Sequence, residues 1–279
     1  MKLPISVIVY TLNEEQDLPG CLESLAWSDD VHVFDSLSRD RTHDIAREFG
    51  ATVTTRAFDT ESVHRNWAME NLEFQHPWVY HSDADERVPN DLAAAMGQCV
   101  AEPQGNVAFR MRRRDYFMGQ WLRHCVPSPT NIRLFLHEKM RYARLINPVP
   151  VIDGAVGMIE EHFDHFPFSK GLTHWFEKHN RYSTLEARQI VENRREGIRP
   201  SLSQALFGRD YTDRRYHQKE IFYRMPARSQ LKFCLLYFAK LGFLDGRAGL
   251  EFCRLNAIYE RMIVMKTAEM ELAARGGQL

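Results

Sequence analysis

The sequence predicts an α/β fold in which a mostly parallel, doubly wound sheet is flanked by helices and followed by a helical C-terminal region. Three observations predict it. Short apolar runs typical of strands recur at regular intervals in the first third of the chain, helical patterns fill the gaps between them, and helical periodicity returns after residue 172. The strand-like runs cover residues 5–10, 31–34, 52–55 and 78–81.

The segments between these strands have the spacing of amphipathic helices. Apolar residues at positions 18, 21, 22 and 25 recur at intervals of three and four, so they share one helix face. A second helix is predicted to end at Gly50, and a third to follow Asn90. Strands that alternate with helices form parallel sheets, whose ligands bind beyond the carboxyl ends of the strands.

The rest of the chain shows different residue patterns. Residues 107–152 hold short β-like runs broken by glycine and proline, which predict an antiparallel extension of the sheet. Residues 172–193 predict a long helix, and the apolar stretch after Pro226 is too short to span a bilayer. We therefore expect one domain over residues 1–169 and a helical region over residues 170–279.

The composition is that of an ordinary globular protein of 279 residues, with 44% hydrophobic, 11% aromatic and 26% charged residues. It excludes collagen-like and disordered classes. The five cysteines are far apart and form no C-x-x-C pair, which argues against a zinc ribbon or a disulfide framework and favours a reducing compartment. The N-terminal segment lacks the long apolar core of a signal peptide, so we expect a cytoplasmic protein.

Charge is divided unevenly along the chain. Residues 1–169 hold 16 Lys and Arg against 25 Asp and Glu, whereas residues 170–279 hold 20 against 12. The acidic part suits a site for a metal or a polar ligand, and the basic part suits an anionic surface such as phospholipid. Because the first part is acidic and no recognition motif is present, we expect no nucleic-acid partner.

The loop after the first strand reads Thr11-Leu12-Asn13-Glu14-Glu15 and contains no glycine. The loops of dinucleotide dehydrogenases and P-loop kinases need glycines there so that backbone amides can approach phosphates. Both classes are therefore excluded, and polar side chains in this loop indicate recognition of a base or a ribose. The alternative is a polar turn in which Asn13 and Glu15 cap the next helix.

Carboxylates follow the second and fourth strands at the same sheet edge. Asp35 ends the second strand, where it can accept a hydrogen bond from a base or a ribose. Asp83 and Asp85 follow the fourth strand, and residues two apart on a strand share one face, so we expect both to point into the crevice. Two such carboxylates repel unless a cation lies between them, and their oxygens suit Mg²⁺ or Mn²⁺. For the segment that follows the second strand, the alternative is a helix cap near Asp35. For Asp83 and Asp85, the alternative is a solvated turn.

Taken together, these segments resemble family 2 glycosyltransferases with the GT-A fold, which is Rossmann-like. Later segments are similar, more narrowly, to the branch of the lipopolysaccharide inner-core β-glucosyltransferases. The similarity follows the same order over nearly the whole chain. The segments are ISVIVYTLNEE, VFDSLSRDRTHDIAREFGA, HRNWA and HSDADER, followed by RDYFMGQWLRH, NIRLF, NRYSTLEA and KLGFLDGRAGL.

The resemblance implies a GT-A catalytic domain over residues 1–169 that binds a nucleotide sugar, with UDP as the nucleotide. Arg65 would face the nucleotide or its phosphates, because a guanidinium fork matches phosphate oxygens. Asp83 would lie near the ribose and the metal, Asp85 would be the principal ligand of Mg²⁺ or Mn²⁺, and His165 would complete the metal site. The residues implied to hold the nucleotide through uracil and ribose are Thr11, Asn13, Glu15 and Asp35.

The same resemblance implies transfer with inversion at the anomeric carbon, in which a carboxylate takes the proton of the acceptor hydroxyl. Relatives carry a His-Glu pair shortly before an Asp-Gly, whereas this chain has Asn147 and Pro148 there. Asp153, Glu160 and Glu161 are the substitute candidates for the base. The alternative is a GT-A-like nucleotide-binding or scaffold protein with impaired catalysis.

The acceptor is expected to be a lipopolysaccharide, an exopolysaccharide or a lipid-linked saccharide. Trp121, Arg123 and His124 are expected to border the acceptor side. Residues 214–247 combine eight basic residues with aromatic and aliphatic ones, which suits peripheral contact with the inner face of the cytoplasmic membrane. The alternative is that this segment packs on the catalytic domain or forms a homodimer interface.

Overall fold

The computed structural model describes residues 2–126, 129–143, 149–208 and 211–277. In its first part, apolar runs and amphipathic segments alternate as strands and helices where the sequence predicts them. The four predicted strands are confirmed as β1 to β4, each with its start at the predicted residue. In chain order the elements are β1 (Ile5–Thr11), α1 (Leu18–Ser24), β2 (Val31–Asp35), α2 (Thr42–Glu48), β3 (Thr52–Thr55), α3 (Glu61–Asn71), β4 (Trp78–Asp83), β5 (Glu86–Arg87) and α4 (Asn90–Ala101).

Longer strands and hairpins follow, as the change of texture after residue 107 predicts. Asn147 and Pro148, the replacements of the family's His-Glu pair, lie outside the described residues. The further strands are β6 (Asn106–Phe117), β7 (Gln120–Trp121), β8 (Thr130–Leu136), β9 (Met140–Ala143), β10 (Val149–Ile152) and β11 (Ala155–His165).

The strands form a mixed sheet in the order β3-β2-β1-β4-β8-β6-β11-β5. The first four positions are parallel, as the alternation with helices predicts. Strand β8 pairs antiparallel with both β4 and β6, and β11 runs parallel to β6. The carboxyl ends of β1, β2, β4, β6 and β11 therefore meet at one edge, and that edge positions the candidate site.

The core of this unit lies on both faces of the sheet. Helices α1, α2 and α4 cover one face, where Leu18, Ile45 and Leu92 pack against apolar strand residues. On the other face, α3 packs Ala68 and Met69 against Ile8 and Val79. Central strands buried on both faces need continuous apolar runs, and this explains why β1 is buried along almost its whole length.

The chain divides into two units, and the first comprises the described residues up to Trp121 and from 129 to 170. The second comprises residues 122–126 with 171–277 and is helical. Its long helices α5 and α9 share a core with Tyr223 through Ala187, Ile190 and Ile263. The helices are α5 (Gly171–Arg195), α6 (Leu202–Phe207), α7 (Tyr211–Phe222), α8 (Arg228–Cys234), a π-helical turn (Leu235–Ala239) and α9 (Gly246–Ala274).

Residues 122–126 belong to the second unit because a buried carboxylate holds them. Asp245 accepts hydrogen bonds from the backbone N–H groups of Arg123, His124 and Cys125 and from the His124 imidazole. Within the described ranges, no helix has both the length and the apolar content that crossing a membrane requires.

Candidate functional site

A cavity of about 330 Å³ opens at the carboxyl ends of β1 and β2, where a doubly wound sheet binds its ligands. Its floor comes from the end of β1, and one wall comes from the first turns of α3. The lining residues are Tyr10, Thr11, Leu12, Ser36, Phe58, Glu61, His64 and Arg65. Aromatic faces beside hydroxyls, an imidazole and a guanidinium give the cavity the chemistry of a site for a nucleobase and the phosphates attached to its ribose.

Arg65 is held at the mouth of this cavity by its surroundings. Its guanidinium lies 5.1 Å from the ring centroids of Tyr10 and Tyr142 and pairs with Glu61 at 2.7 Å. The backbone of Tyr142 is held by Asn66, which both donates to it and accepts from it. The arginine is therefore preorganised, with planar donors near the end of β1.

His64 presents a neutral imidazole to the cavity. Burial and the Arg56 guanidinium lower its pKa below the usual value. The Arg56 guanidinium donates to Nδ1 at 3.1 Å, so Nε2 carries the hydrogen and donates to Ser36 Oγ at 3.2 Å. The ring also packs on Phe34, with centroids 4.4 Å apart.

The polar residues of the β1–α1 loop bind the β2–α2 loop. Asn13 has a φ of 56°, and its Oδ1 accepts from the Arg39 N–H at 2.9 Å. Glu15 Oε2 accepts from the Arg41 N–H at 3.2 Å. In the structure these side chains therefore join two loops at the sheet edge, and Thr11 alone of the loop residues predicted to hold the nucleotide lines the cavity.

Asp35 is buried and its carboxylate is fully used within the protein. Oδ1 accepts from Thr11 and Ser38 hydroxyls, and Oδ2 accepts from the Ser38 N–H and contacts His43 Nε2 at 2.8 Å. Burial alone would raise the pKa of Asp35, but the hydrogen bonds from Ser38, His43 and Thr11 outweigh it and lower the pKa. A carboxylate has about four acceptor positions, and all are occupied here.

The structure separates the two aspartates that the sequence expected on one strand face. Strand β4 ends at Asp83, and Asp85 lies in the following turn. Asp83 Oδ2 accepts from Arg133 at 2.8 Å, and Oδ1 lies 3.4 Å from His81 Nε2. Burial would raise the pKa of Asp83, but Arg133 and His81 hold it well below its usual range. Asp83 is thus neutralised by protein groups rather than paired with Asp85.

Asp85 faces a histidine from the neighbouring end of β11. Its Oδ2 lies 3.4 Å from His165 Nε2, while His165 Nδ1 is hydrogen-bonded to the buried Asp115. Burial alone would lower the pKa of His165, but the hydrogen bonds to Asp115 and Asp85 outweigh it and raise the pKa to about 9. The result is a line of carboxylate, imidazole and carboxylate at the sheet edge.

These donors fit a divalent cation that shares its ligands with a substrate. Across the described ranges, no three His, Cys, Asp or Glu side chains converge as a complete metal site. Mg²⁺ and similar ions are usually bound by one or two protein groups, substrate phosphates and waters rather than by a protein cage. Asp85 and His165 supply such a pair, and Asp115 supplies the outer carboxylate that orients a ligating imidazole.

The three candidates for the base lie away from the cavity. Asp153 is bound to Lys139 at 2.9 Å, which lowers its pKa, the opposite of what a base at neutral pH requires. Glu160 pairs with Arg112 at 3.7 Å on an exposed part of β11. Neither these two nor Glu161 lines the cavity.

The expected acceptor-side residues belong to different units. Trp121 belongs to the first unit, where Arg114 lies 5.6 Å from its ring centroid, whereas Arg123 and His124 are held by Asp245 in the second unit. Their role stays a prediction.

Arg133, Asp115 and His64 were not found by sequence reasoning. Arg133 lies in NIRLF and His64 in HRNWA, two segments that carry the family resemblance, but the sequence assigned neither residue a role. The signal that was available for Arg133 is an arginine inside an apolar strand, which requires a buried carboxylate partner. Nothing local distinguishes Asp115 from the other acidic residues of the chain.

The chain matches the family model described as "Glycosyl transferase family 2" over residues 6–165, which contain the cavity, both aspartates and His165. It is 29% identical over 274 residues to the lipopolysaccharide core biosynthesis glycosyltransferase LpsC of Rhizobium meliloti (strain 1021), and the match covers 93% of each chain.

Two solved structures are also similar. The S. aureus TarS 1–349 structure has a TM-score of 0.43 and 13% identity, with 98% of this chain and 92% of that chain covered. The glucosyl-3-phosphoglycerate synthase of Mycobacterium tuberculosis, solved with Mn²⁺, UDP and glucosyl-3-phosphoglycerate, has a TM-score of 0.34 and 20% identity. That match covers 39% of this chain and 44% of the synthase, which is less than half of its length.

Proposed function

The chain belongs to glycosyl transferase family 2, and from that premise we propose that it moves a sugar from a UDP-sugar to a saccharide acceptor with inversion at the anomeric carbon. The observation that carries the proposal is the sheet edge, where the aromatic cavity with Arg65 and the Asp85–His165 pair both lie at carboxyl ends of strands. A lipopolysaccharide acceptor is supported by the similarity to LpsC, a lipopolysaccharide core biosynthesis glycosyltransferase, and an exopolysaccharide or a lipid-linked saccharide is the alternative.

In this proposal the cavity residues bind the nucleotide and the loop residues hold the cavity in shape. The nucleobase lies against Tyr10 and His64, Thr11 contacts the ribose, and Arg65 binds the phosphates. Asn13, Glu15 and Asp35 keep the two loops in register, which the network of backbone hydrogen bonds supports. Arg133 keeps Asp83 ionised near the ribose.

Asp85 and His165 would hold a divalent cation, which neutralises charge on the departing diphosphate when it is bound. The acceptor oxygen forms a bond to the anomeric carbon as the bond from that carbon to the diphosphate oxygen breaks. The diphosphate leaves with the electron pair, and the hydroxyl proton passes to a carboxylate base. Asp153, Glu160 and Glu161 stay candidates for that base.

A second candidate function is a nucleotide-binding protein without turnover. The observation that favours it is that the base candidates Asp153 and Glu160 are bound to basic side chains and line neither the nucleotide cavity nor its surroundings. The Asp85–His165–Asp115 line favours the enzyme, because a buried carboxylate that orients an imidazole beside a second, half-buried carboxylate is the arrangement of a metal-binding histidine.

Calorimetry of UDP, GDP and dTDP with and without Mn²⁺ tests the donor site. We expect Mn²⁺ to tighten the binding of UDP at least tenfold, and Asp85→Asn to abolish that gain while metal-free binding persists. Asp44→Asn is the matched control, since Asp44 is exposed on α2 and, among the described residues, pairs with Arg47 alone. An absence of nucleotide binding with metal present would sink the proposal. Release of UDP from UDP-sugars then separates the enzyme from the non-catalytic alternative.

We also propose that the second unit binds an anionic membrane surface at the inner face of the cytoplasmic membrane. Leu235, Phe238 and Leu244 are 46%, 57% and 55% exposed, which is unusual for three large apolar side chains so close in sequence. Lys232, Lys240 and Arg247 lie among them, and each basic residue contributes about 1 kcal/mol at an anionic surface.

Sedimentation with vesicles tests this surface. We expect binding to phosphatidylglycerol vesicles, little binding to phosphatidylcholine vesicles, and loss of binding in Phe238→Gln/Leu244→Gln. Leu202→Gln is the control, because Leu202 is 65% exposed but lies outside residues 214–247. The membrane proposal would be refuted if the wild-type protein formed a dimer through these residues and bound to neither kind of vesicle.

A further inference from the structure

A second cavity of about 320 Å³ lies at the carboxyl ends of β6 and β11, and it shares no lining residue with the nucleotide cavity. Its volume is at the lower end of the range for small-molecule sites, about 300–1,000 Å³. We propose that it binds a neutral pyranose ring of the acceptor saccharide. The inference rests on the proposed glycosyl transfer and assigns a subsite to it.

The walls of this cavity are aromatic. Tyr116 and Phe166 stack with ring centroids 5.1 Å apart and an interplanar angle of 21°. Phe117 and Phe168 form a second aromatic pair with centroids 4.2 Å apart. Flat aromatic faces match the C–H faces of a pyranose ring, which are its apolar surface, while its rim of hydroxyls needs polar partners.

A tight turn sets the rim of the cavity. Strands β6 and β7 are joined by Met118 and Gly119, whose φ values of 52° and 74° give the two-residue hairpin with positive φ at both positions. Met118 is 53% exposed and lines the cavity, so an apolar and adaptable side chain stands at its entrance.

A buried carboxylate supplies a hydrogen-bond acceptor. Asp17 is only 3% exposed and lines the cavity. Its Oδ2 accepts from Ser169 Oγ at 2.7 Å, whereas no described residue donates to Oδ1. The Oδ1 acceptor position is therefore open, and a ligand hydroxyl can donate to it in place of water.

Arg87 balances the charge of Asp17, but its guanidinium already donates to backbone carbonyls and is therefore not available to bind an anionic ligand. Its guanidinium donates to the backbone carbonyls of Ala84, Glu86 and Asp17 at 2.8 to 3.0 Å, and it lies 5.6 Å from the ring centroid of Phe166. Asp17 and Arg87 are the charged residues among those that line the cavity. With one anion and one committed cation, a neutral ligand with hydroxyls fits better than an acidic sugar or a phosphate.

The cavity also lies where an acceptor is needed. The Phe166 N–H donates to the Asp85 carbonyl oxygen at 2.9 Å, and His165 is the preceding residue. Phe166 lines the cavity, so the cavity adjoins the Asp85–His165 pair. A sugar bound here lies next to that pair.

Methyl-labelled methionine NMR tests the subsite with simple sugars. The Met118 methyl signal, assigned with Met118→Leu, is followed while methyl β-D-glucopyranoside is added. We expect a saturable shift that Phe166→Leu and Asp17→Asn weaken about tenfold in affinity, because each removes one recognition element. Phe49→Leu and Asp44→Asn, exposed residues outside both cavities, are expected to bind as the wild type does. Methyl β-D-glucuronide should bind at least tenfold more weakly, since it brings a second carboxylate near Asp17.

UDP calorimetry on the same samples separates this inference from the proposed function. Retained UDP affinity in Phe166→Leu and Asp17→Asn shows that these variants are folded and that the donor site is intact. If UDP binds and Met118 does not respond to the neutral glycoside up to its solubility limit, the subsite is wrong and the proposed function stands. Equal shifts in all variants, or tighter binding of the glucuronide, would also overturn the subsite.

Discussion

Replacing Arg133 with methionine is expected to destabilise the first unit strongly. Arg133 is 7% exposed, and its guanidinium is hydrogen-bonded to Asp83 and Glu86. Methionine fills a similar apolar volume and keeps contact with Phe163, over which the guanidinium lies at 5.2 Å. The substitution therefore removes the charge and leaves most of the packing.

The size of the effect follows from the exposure of the two carboxylates. Glu86 has a side chain that is 1% exposed, and burial raises its pKa to about 8 although Arg133 opposes this, so the substitution leaves a buried carboxyl group without its hydrogen-bond donor. The Asp83 side chain is 37% exposed, so water screens its share. Leaving a buried polar group without its partner costs about 1–3 kcal/mol, and we expect the loss of unfolding free energy for Arg133→Met to lie in that range.

Tryptophan fluorescence during urea unfolding measures this loss in one unit. Trp27, Trp67, Trp78 and Trp121 lie in the first unit, so a Trp175→Phe background makes the signal specific to it. In the double variant Arg133→Met/Glu86→Gln, at least half of the lost stability should return, because the buried carboxylate has been removed as well. Arg133→Met within about 1 kcal/mol of the wild type, or a double variant no better than the single one, would contradict a buried charge network.

Three further substitutions test other parts of the structure. Asp115→Asn should weaken Mn²⁺-promoted UDP binding about 10- to 100-fold and leave metal-free binding unchanged in calorimetry, because it removes the carboxylate that orients His165. Glu14 is largely buried beside Lys170, and burial outweighs that lysine and raises its pKa from 4.5 to about 7. The stabilisation that protonated Glu14 provides is therefore complete below pH 4.5 and is lost as the pH rises through 7. In urea unfolding, the free energy of unfolding of the wild type, relative to that of Glu14→Gln, should fall by up to about 3 kcal/mol over that pH range. Asp245→Asn should speed hydrogen exchange at the amides of residues 123–125 at least tenfold, since the carboxylate accepts from all three, and unchanged protection would refute its role in holding that segment.

The strands and the sheet edge could be predicted from the sequence because their signals are local. Strand β1 is apolar except for Ser6 and Thr11, and such runs are buried on both faces in a parallel sheet. The loop after β1 lacks glycine and is rich in polar side chains, and in the structure two of these side chains bind the neighbouring loop. The direction of β8 could be predicted only as a general antiparallel extension, because its partners lie far apart in sequence.

The partners of the polar residues could not be predicted, because they depend on strand order. Asp35 looked available for a ligand from its place at the end of β2, yet Ser38, His43 and Thr11 occupy its acceptor positions. The first two come from the loop and helix that follow, and their reach depends on backbone geometry that no spacing rule gives. A short motif shows which side chains are present at an edge but not which of them the protein itself uses.

The separation of Asp83 from Asp85 is the clearest example, and it changes how the motif is understood. Strand β8 lies beside β4, and its register, which pairs Tyr80 with Leu134, brings Arg133 against the end of β4. Asp83 therefore belongs to a network with Arg133 and Glu86, and its loss is expected to lower stability. Asp85, in the turn beyond the strand, faces His165 and can be changed with little effect on the fold. Substitutions at the two aspartates should thus separate the structural role of Asp83 from the metal-binding role proposed for Asp85, which their spacing alone does not distinguish.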